Sequence, residues 1–261
     1  MFKTIFSEKE SLFSVASKNV LITGASRGIG QALAVGFASA GATVYCAASR
    51  PNGAENTVDQ INSAGGKAVA MHADLSSETE IRAMMAEIFE QAGNLDICVN
   101  NGGTISRFPS AEYPYSEFQK VIDVNLNATF LISQLAGEKM IEAGHGKIIN
   151  IASMLSYTGG LTVPAYTASK HGVAGLTKAL ANEWALHNVQ VNAIAPGYFA
   201  TDNTAALRAD KNRNSEIQKR IPCGEWGLPE QLVGAAIFLG SEASNYVNGH
   251  ILAVDGGWLA R

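Results

Sequence analysis

Apolar and polar positions alternate along this chain on two scales. Short, nearly continuous apolar runs recur at Asn19–Thr23, Thr43–Ala47, Ala68–His72, Asp96–Asn100, Lys147–Ile151, Gln190–Ile194 and His250–Val254. Runs of this kind are what strands covered on both faces look like. Between them lie stretches with helical spacing, among them Ile29–Ala40, Glu78–Gln91, Tyr115–Ala143, Pro164–Leu186 and Pro229–Leu239. Strand–helix alternation repeated this often predicts an α/β fold. It should be a doubly wound parallel sheet of about seven strands, flanked by helices and joined by right-handed crossovers. No internal repeat, low-complexity tract or Pro/Gly-rich linker breaks the pattern, so residues 1–261 are expected to form a single domain. Two segments fall out of rhythm. Phe108–Pro114 carries two prolines and reads as a loop entering a helix. Residues 198–227 are long, polar and poorly periodic, and a connection of that length in a compact fold is expected to be a substrate lid.

Composition narrows the partners. With 47% hydrophobic and 16% charged residues, the chain can fill a large core and lacks the character of a disordered tail. The net charge is −4 and the basic residues are scattered; Lys211–Arg220, the densest basic stretch, is broken by Glu216. This excludes a nucleic-acid footprint. No apolar run approaches the ~20 residues of a membrane span. Met1–Ser17 mixes Phe2, Ile5 and Phe6 with Glu8, Lys9 and Glu10 and has no signal-peptide pattern, and nothing assigns a role to its first twelve residues. Cys46, Cys98 and Cys223 are odd in number and far apart, which predicts free thiols, no metal site and a cytoplasmic setting.

The first chemistry lies directly after the first strand, in Thr23-Gly24-Ala25-Ser26-Arg27-Gly28-Ile29-Gly30. A glycine-rich turn between strand and helix lets backbone approach a pyrophosphate, and the helix N-terminus adds free N–H groups and a positive dipole end. Glycines alone are a weak signal, but here the strand before and the helix after are both in place. The spacing Gly-x-x-x-Gly-x-Gly behind a threonine resembles the short-chain dehydrogenase/reductase family, and that resemblance implies a Rossmann-type fold and a nicotinamide dinucleotide. The second strand ends Ala47-Ala48-Ser49-Arg50, without the acidic residue that commonly holds an unphosphorylated ribose. Ser49, Arg50 and Arg27 suit a 2′-phosphate instead, since a guanidinium fork donates two bonds to it. NADP(H) is therefore the expected cofactor, with NAD(H) as the permitted alternative. The resemblance further implies that Asp74 and Leu75 meet the adenine. It places Asn101, Gly102 and Gly103 against the cofactor, although Gly102 stands where the family has alanine. It also sets Pro196, Gly197, Phe199 and Thr201 at the nicotinamide, with a phenylalanine bulkier than the usual Ile or Val.

Tyr166-Thr-Ala-Ser-Lys170 places a phenol and an ammonium one helical turn apart, on one face. A free tyrosine near pKa 10 is a poor acid at neutral pH, and a neighbouring ammonium is expected to pull it down. Ser153 closes the fifth strand, on the same carboxyl rim as the glycine turn, where its hydroxyl can hold an oxygen developing charge. Taken singly, Ser153 is also a plausible helix cap and Asn125 a helix-bending polar residue; four matches in order favour the catalytic reading. The resemblance implies that Lys170 holds the nicotinamide ribose and that Asn125 links Lys170 to solvent through a proton relay. Ile149-Asn-Ile-Ala-Ser-Met154, Pro196-Gly-Tyr-Phe-Ala-Thr-Asp-Asn-Thr204 and Val254-Asp-Gly-Gly-Trp-Leu-Ala-Arg261 are similar to the family's sugar-acid reductases, which act on keto-deoxy-gluconates and uronates.

For a carboxylated substrate, Arg107 and then Arg208 are the candidate partners on the rim. The apolar C-terminus suggests a subunit contact; the family resemblance implies a homotetramer, in which the tail would approach a neighbour's site. Two rivals stand beside this reading. One is a reductase of a steroid or other non-sugar ketone, which an apolar lid would favour. The other is an inactive NAD(P)-sensing protein, whose mark would be loss of the tyrosine or lysine.

Overall fold

The computed structural model describes residues 12–261; the N-terminal residues read above as lacking a leader lie largely outside them. Seven strands, β1 (Asn19–Thr23), β2 (Thr43–Ala48), β3 (Lys67–His72), β4 (Ile97–Asn100), β5 (Gly146–Ile151), β6 (Val189–Pro196) and β7 (Ile251–Val254), form one sheet in the order β3-β2-β1-β4-β5-β6-β7. Every pairing is parallel, with Val20 opposite Val44 on one side and Ile97 on the other. Each strand falls within two residues of its expected bounds. The apolar runs are continuous because both faces are covered. Val20 and Ile22 point into a core shared with Leu33 and Phe37, whereas Leu21 between them points into a second core with Met84, Met85, Ile88 and Met140.

The helices are α1 (Gly28–Ser39), α2 (Glu55–Ser63), α3 (Glu78–Ala92), α4 (Tyr115–Ile122), α5 (Ala128–Ala143), α6 (Pro164–Trp184), α7 (Ala205–Ala209), α8 (Lys211–Arg220) and α9 (Val233–Gly240). Three expectations are corrected. The helix foreseen over Tyr115–Ala143 is interrupted at Asp123–Asn127 by a π-helical turn. Pro229–Leu232 is a 3-10 turn leading into α9. Residues 198–227 carry two helices, whose period is hard to read because α7 buries nothing and α8 buries only Ile217. Among the described residues no helix is long and apolar enough to cross a membrane.

β1 and β4 are neighbours in the sheet, and the chain winds outward from them in both directions. Their carboxyl ends therefore open a crevice at the topological switch point, where ligands bind in sheets of this type.

Candidate active site

The turns after β1 and β4 are stitched together across that crevice. Thr23 Oγ1 accepts from the backbone N–H groups of Asn101 (3.0 Å) and Gly102 (2.8 Å), and Asn101 Nδ2 donates to the carbonyls of Thr23 (2.9 Å) and Gly24 (3.2 Å). Only glycine permits this approach. Gly24 has φ +66°, and a Cβ added at Gly30 would lie 2.1 Å from the Gly24 carbonyl oxygen. Arg27 begins α1 without a side-chain cap, and no acid sits in its first turn. The first N–H groups of a twelve-residue helix thus face the crevice, an arrangement that suits a phosphate.

The crevice widens into a cleft of about 1010 Å³. Its walls include Gly24, Ser26, Arg27, Gly28, Ile29, Gly30, Ser49, Asp74, Leu75, Asn101, Gly102 and Gly103 from the first half of the chain, and Arg107, Ser153, Tyr166, Lys170, Gly197 and Thr201 beyond them. Glycine cradle, open helix end and volume together fit a dinucleotide. Asp74 serves two ends: it lines the cleft, and its carboxylate accepts from the backbone N–H (2.9 Å) and hydroxyl (2.8 Å) of Ser76, which hold it below its ordinary pKa. The cap of α3 itself is Ser77.

Several expected residues sit elsewhere. Arg50 is exposed and outside the cleft wall, while Ser49 and Arg27 face it; Arg27 is 3.6 Å from Asp202 at the start of the 198–227 segment. Pro196 is buried at the end of β6. The Phe199 ring packs against Gly227, away from the cleft, so its bulk is taken up by the core. Arg208 donates to the Thr201 carbonyl at 3.0 Å and does not line the cleft; Arg213 and Arg220 do. The C-terminal turn packs on its own chain, where the Trp258 ring lies 4.8 Å from that of Tyr198 and lines the cleft. Arg213 and Arg220 carry no local motif, Tyr198 and Trp258 stand within the stretches that carry the resemblance, and none of the four was expected at the site.

Three side chains meet at the rim of β5. Ser153 caps the 3-10 turn Met154–Ser156, accepting from Leu155 N–H at 3.1 Å, and lies beside Tyr166. Burial pushes the Tyr166 phenol above its ordinary pKa, while the Ser153 hydroxyl and the Arg107 guanidinium act in the opposite direction. Lys170 is buried, and burial pulls it down to about 8. Its ammonium donates to the Ile151 carbonyl at 2.5 Å and lies 5.6 Å from the centre of the Tyr166 ring. Lys170 thus stands beside the phenol, and the Arg107 guanidinium adds a further positive charge that favours the phenolate.

Asn125 is fully buried in the π-turn and off the cleft wall. Its amide donates to the Thr104 carbonyl (2.9 Å) and to Ser169 Oγ (3.1 Å), and its oxygen accepts from Thr104 N–H (2.8 Å). Both amide hydrogens are committed to tying the post-β4 loop to α6 next to Lys170. Beneath it a buried polar ladder runs from Asn100 to Ser133 and Asn150 (2.9 Å each) and on to Thr177 (3.0 Å). It fixes β4 and β5 to α5 and α6.

A profile described as short chain dehydrogenase matches residues 18–212. The chain belongs to the short chain dehydrogenase family. This short chain dehydrogenase is 51% identical over 249 residues to the 2-dehydro-3-deoxy-D-gluconate 5-dehydrogenase of Bacillus subtilis (strain 168), covering 95% of this chain and 97% of that one. It is 45% identical over 248 residues to the 5-keto-D-gluconate 5-reductase of Escherichia coli (strain K12), covering 95% and 98%. Its fold superposes with a TM-score of 0.92 on a gluconate 5-dehydrogenase from Burkholderia cenocepacia J2315 in complex with NADP and tartrate, at 38% identity over 95% of this chain and 98% of that one.

Proposed function

We propose that this enzyme is an NADP(H)-preferring dehydrogenase/reductase that interconverts a ketone and a secondary alcohol on a sugar acid of the keto-deoxy-gluconate or uronate class. The observation that carries the reading is the convergence of Ser153, Tyr166 and Arg107 on one cleft wall, beside a glycine cradle that admits a dinucleotide. The similar relatives named for gluconate-type substrates support the substrate class. Polar residues on the cleft face of the 198–227 segment, Asp202, Asn203 and Arg213, favour a hydroxylated acid over a steroid.

When bound, the nicotinamide supplies the hydride for the carbonyl carbon. With its pKa raised, the Tyr166 phenol is protonated at neutral pH and donates its proton to the developing alkoxide. The Ser153 hydroxyl holds that oxygen from the β5 rim. Lys170 orients the ribose, and Asn125 acts as a positioning residue that keeps α6 in register with the post-β4 loop. On the cofactor side, residues 24–30 would cradle the pyrophosphate and Arg27 with Ser49 would take the 2′-phosphate. Asp74 and Leu75 would serve the adenine, and Gly197 with Thr201 the nicotinamide.

The 198–227 segment serves as the lid. A backbone clasp closes it at its base: Ala200 N–H to the Gly227 carbonyl (2.8 Å) and Gly227 N–H to the Tyr198 carbonyl (2.9 Å). Buried free thiols at Cys46 and Cys98, each pushed up to about 12, support a reducing cytoplasmic setting. The test is NADPH or NADH oxidation with purified enzyme against keto-gluconates, keto-uronates and neutral ketones. Turnover of keto acids with NADPH is expected; activity confined to NADH overturns the cofactor assignment.

A further inference from the structure

Four arginines line the cleft, and their charges are not equally available. Arg27 pairs with Asp202 at 3.6 Å and Arg213 with Glu216 at 3.1 Å. Arg107 and Arg220 also line it, and neither forms an ion pair with a carboxylate of the described residues. The two stand on different walls. Arg107 follows β4 and is close enough to Tyr166 for its charge to act on the phenol. Arg220 ends α8, and its guanidinium carbon lies 4.2 Å from the centre of the Trp258 ring, beyond β7.

Arg220 is held rather than free. Its platform, Trp258, packs on Tyr198, whose ring lies 5.2 Å from that of Trp226; the Trp226 indole donates to Asn214 Oδ1 at 2.7 Å. The Asp255 carboxylate accepts from the N–H groups of Gly257 (2.9 Å) and Leu259 (2.8 Å), which fixes the tail turn bearing Trp258. A stacked guanidinium keeps its planar fork for an anion while its apolar face is covered.

We infer that Arg220, presented on Trp258, is the carboxylate anchor of the substrate, and that the chain's own C-terminal turn sets selectivity for acids. The inference rests on the sugar-acid reading and refines it. In a 5-keto acid the carboxylate carbon lies roughly 5 Å from the reacting carbon, four bonds of about 1.5 Å away in a bent chain. Rim positions on β5 and β7 are two strand spacings apart, roughly 10 Å. A substrate whose carbonyl is held by Ser153 and Tyr166, with its carboxylate turned toward the β7 side, covers about half of that span. Arg107, already beside the phenol, stands at the keto end.

The experiment compares kcat/KM for a 5-keto-hexonate and for its uncharged primary amide, with NADPH saturating. Wild type is expected to prefer the acid. Arg220→Gln should cut the acid-to-amide ratio ~10- to 100-fold, mainly through KM, as loss of a charge-assisted hydrogen bond does. Arg220→Lys should restore part of the ratio, and Trp258→Leu should lower it several-fold. The NADPH Kd of each variant reports whether it is folded. An unchanged ratio in Arg220→Gln, or a fall in Arg107→Gln alone, overturns the assignment. A wild type that reduces neither compound overturns the sugar-acid reading itself, and the anchor falls with it.

Discussion

Alanine at Gly30 and alanine at Gly102 are the same chemical change a few ångströms apart, yet the structure separates their consequences. At Gly30 the new Cβ would stand 2.1 Å from the Gly24 carbonyl oxygen and 2.5 Å from Asn101 Nδ2, where ordinary contact begins at 3.4 Å. The shortfall of about 1.3 Å falls on backbone at the start of α1, which can yield only by moving the helix off the turn. That movement breaks the Asn101 amide bonds to Thr23 and Gly24. Two lost hydrogen bonds at about 1 kcal/mol each and overpacking strain of about 1–3 kcal/mol give a cost of about 3–5 kcal/mol. In a chain of this size that lowers Tm by about 6–20 °C. NADPH affinity should fall at least ~10-fold, because the displaced N–H groups are those aimed at the pyrophosphate. At Gly102 the closest atom is Leu75 Cδ1, at 2.4 Å, the end of a half-buried side chain that can rotate aside. Gly102→Ala should change Tm by no more than about 3 °C and leave NADPH affinity within ~3-fold, since the strain of a small core insertion is relieved where the neighbour can repack. Thermal melts and NADPH fluorescence titration measure both variants. Equal affinities for Gly30→Ala and wild type, or a greater loss in Gly102→Ala, refute the reasoning.

Three further outcomes are expected. Tyr166→Phe should lower kcat by ~10²–10⁴ while keeping NADPH affinity, as loss of a general acid does; wild-type turnover removes Tyr166 from the chemistry. Arg107→Gln removes a charge that favours the phenolate. The pH limb for alcohol oxidation should therefore move to higher pH, and a limb that stays in place contradicts the assigned influence. Lys147 is buried at the start of β5, donates to Asn245 Oδ1 at 2.7 Å, and is pulled down to about 8 by burial. Below pH 8 the folded chain carries a costly buried ammonium. Between about 8 and 10.5 the unfolded chain holds more protons than the folded one, so this contribution to stability rises with pH. Urea midpoints of wild type should gain on those of Lys147→Met from pH 7.5 to pH 10; parallel curves negate this.

The sheet was legible because each strand is buried on both faces, which writes a continuous apolar run into the sequence. The helix ends, the π-turn and the two helices of residues 198–227 were not. Asn125 adopts its place through Thr104 and Ser169, partners 21 and 44 residues away, and no local pattern records them. The same division runs through the site. Gly24–Gly30, Ser153 and the Tyr166–Lys170 pair stand at fixed positions on strand ends and helix turns, so their spacing locates them. Ser49 lines the cleft while its neighbour Arg50 is exposed beside it; a position after a strand does not tell which way a long side chain turns. Arg208 and Arg220 lie on adjacent polar helices, and only tertiary packing decides that the first is spent on the Thr201 carbonyl and the second faces the cleft.

The clasp at the base of the 198–227 segment has an evolutionary corollary. Because Phe199 and Gly227 already lie side by side, the excursion between them leaves the sheet and returns to it at one point. Its length is then nearly free to drift, since doubling a closed loop costs only about 0.6 kcal/mol of closure entropy. On the lid role proposed above, exchanging this cassette would change substrate preference while leaving the Ser153–Tyr166–Lys170 rim beneath it in place.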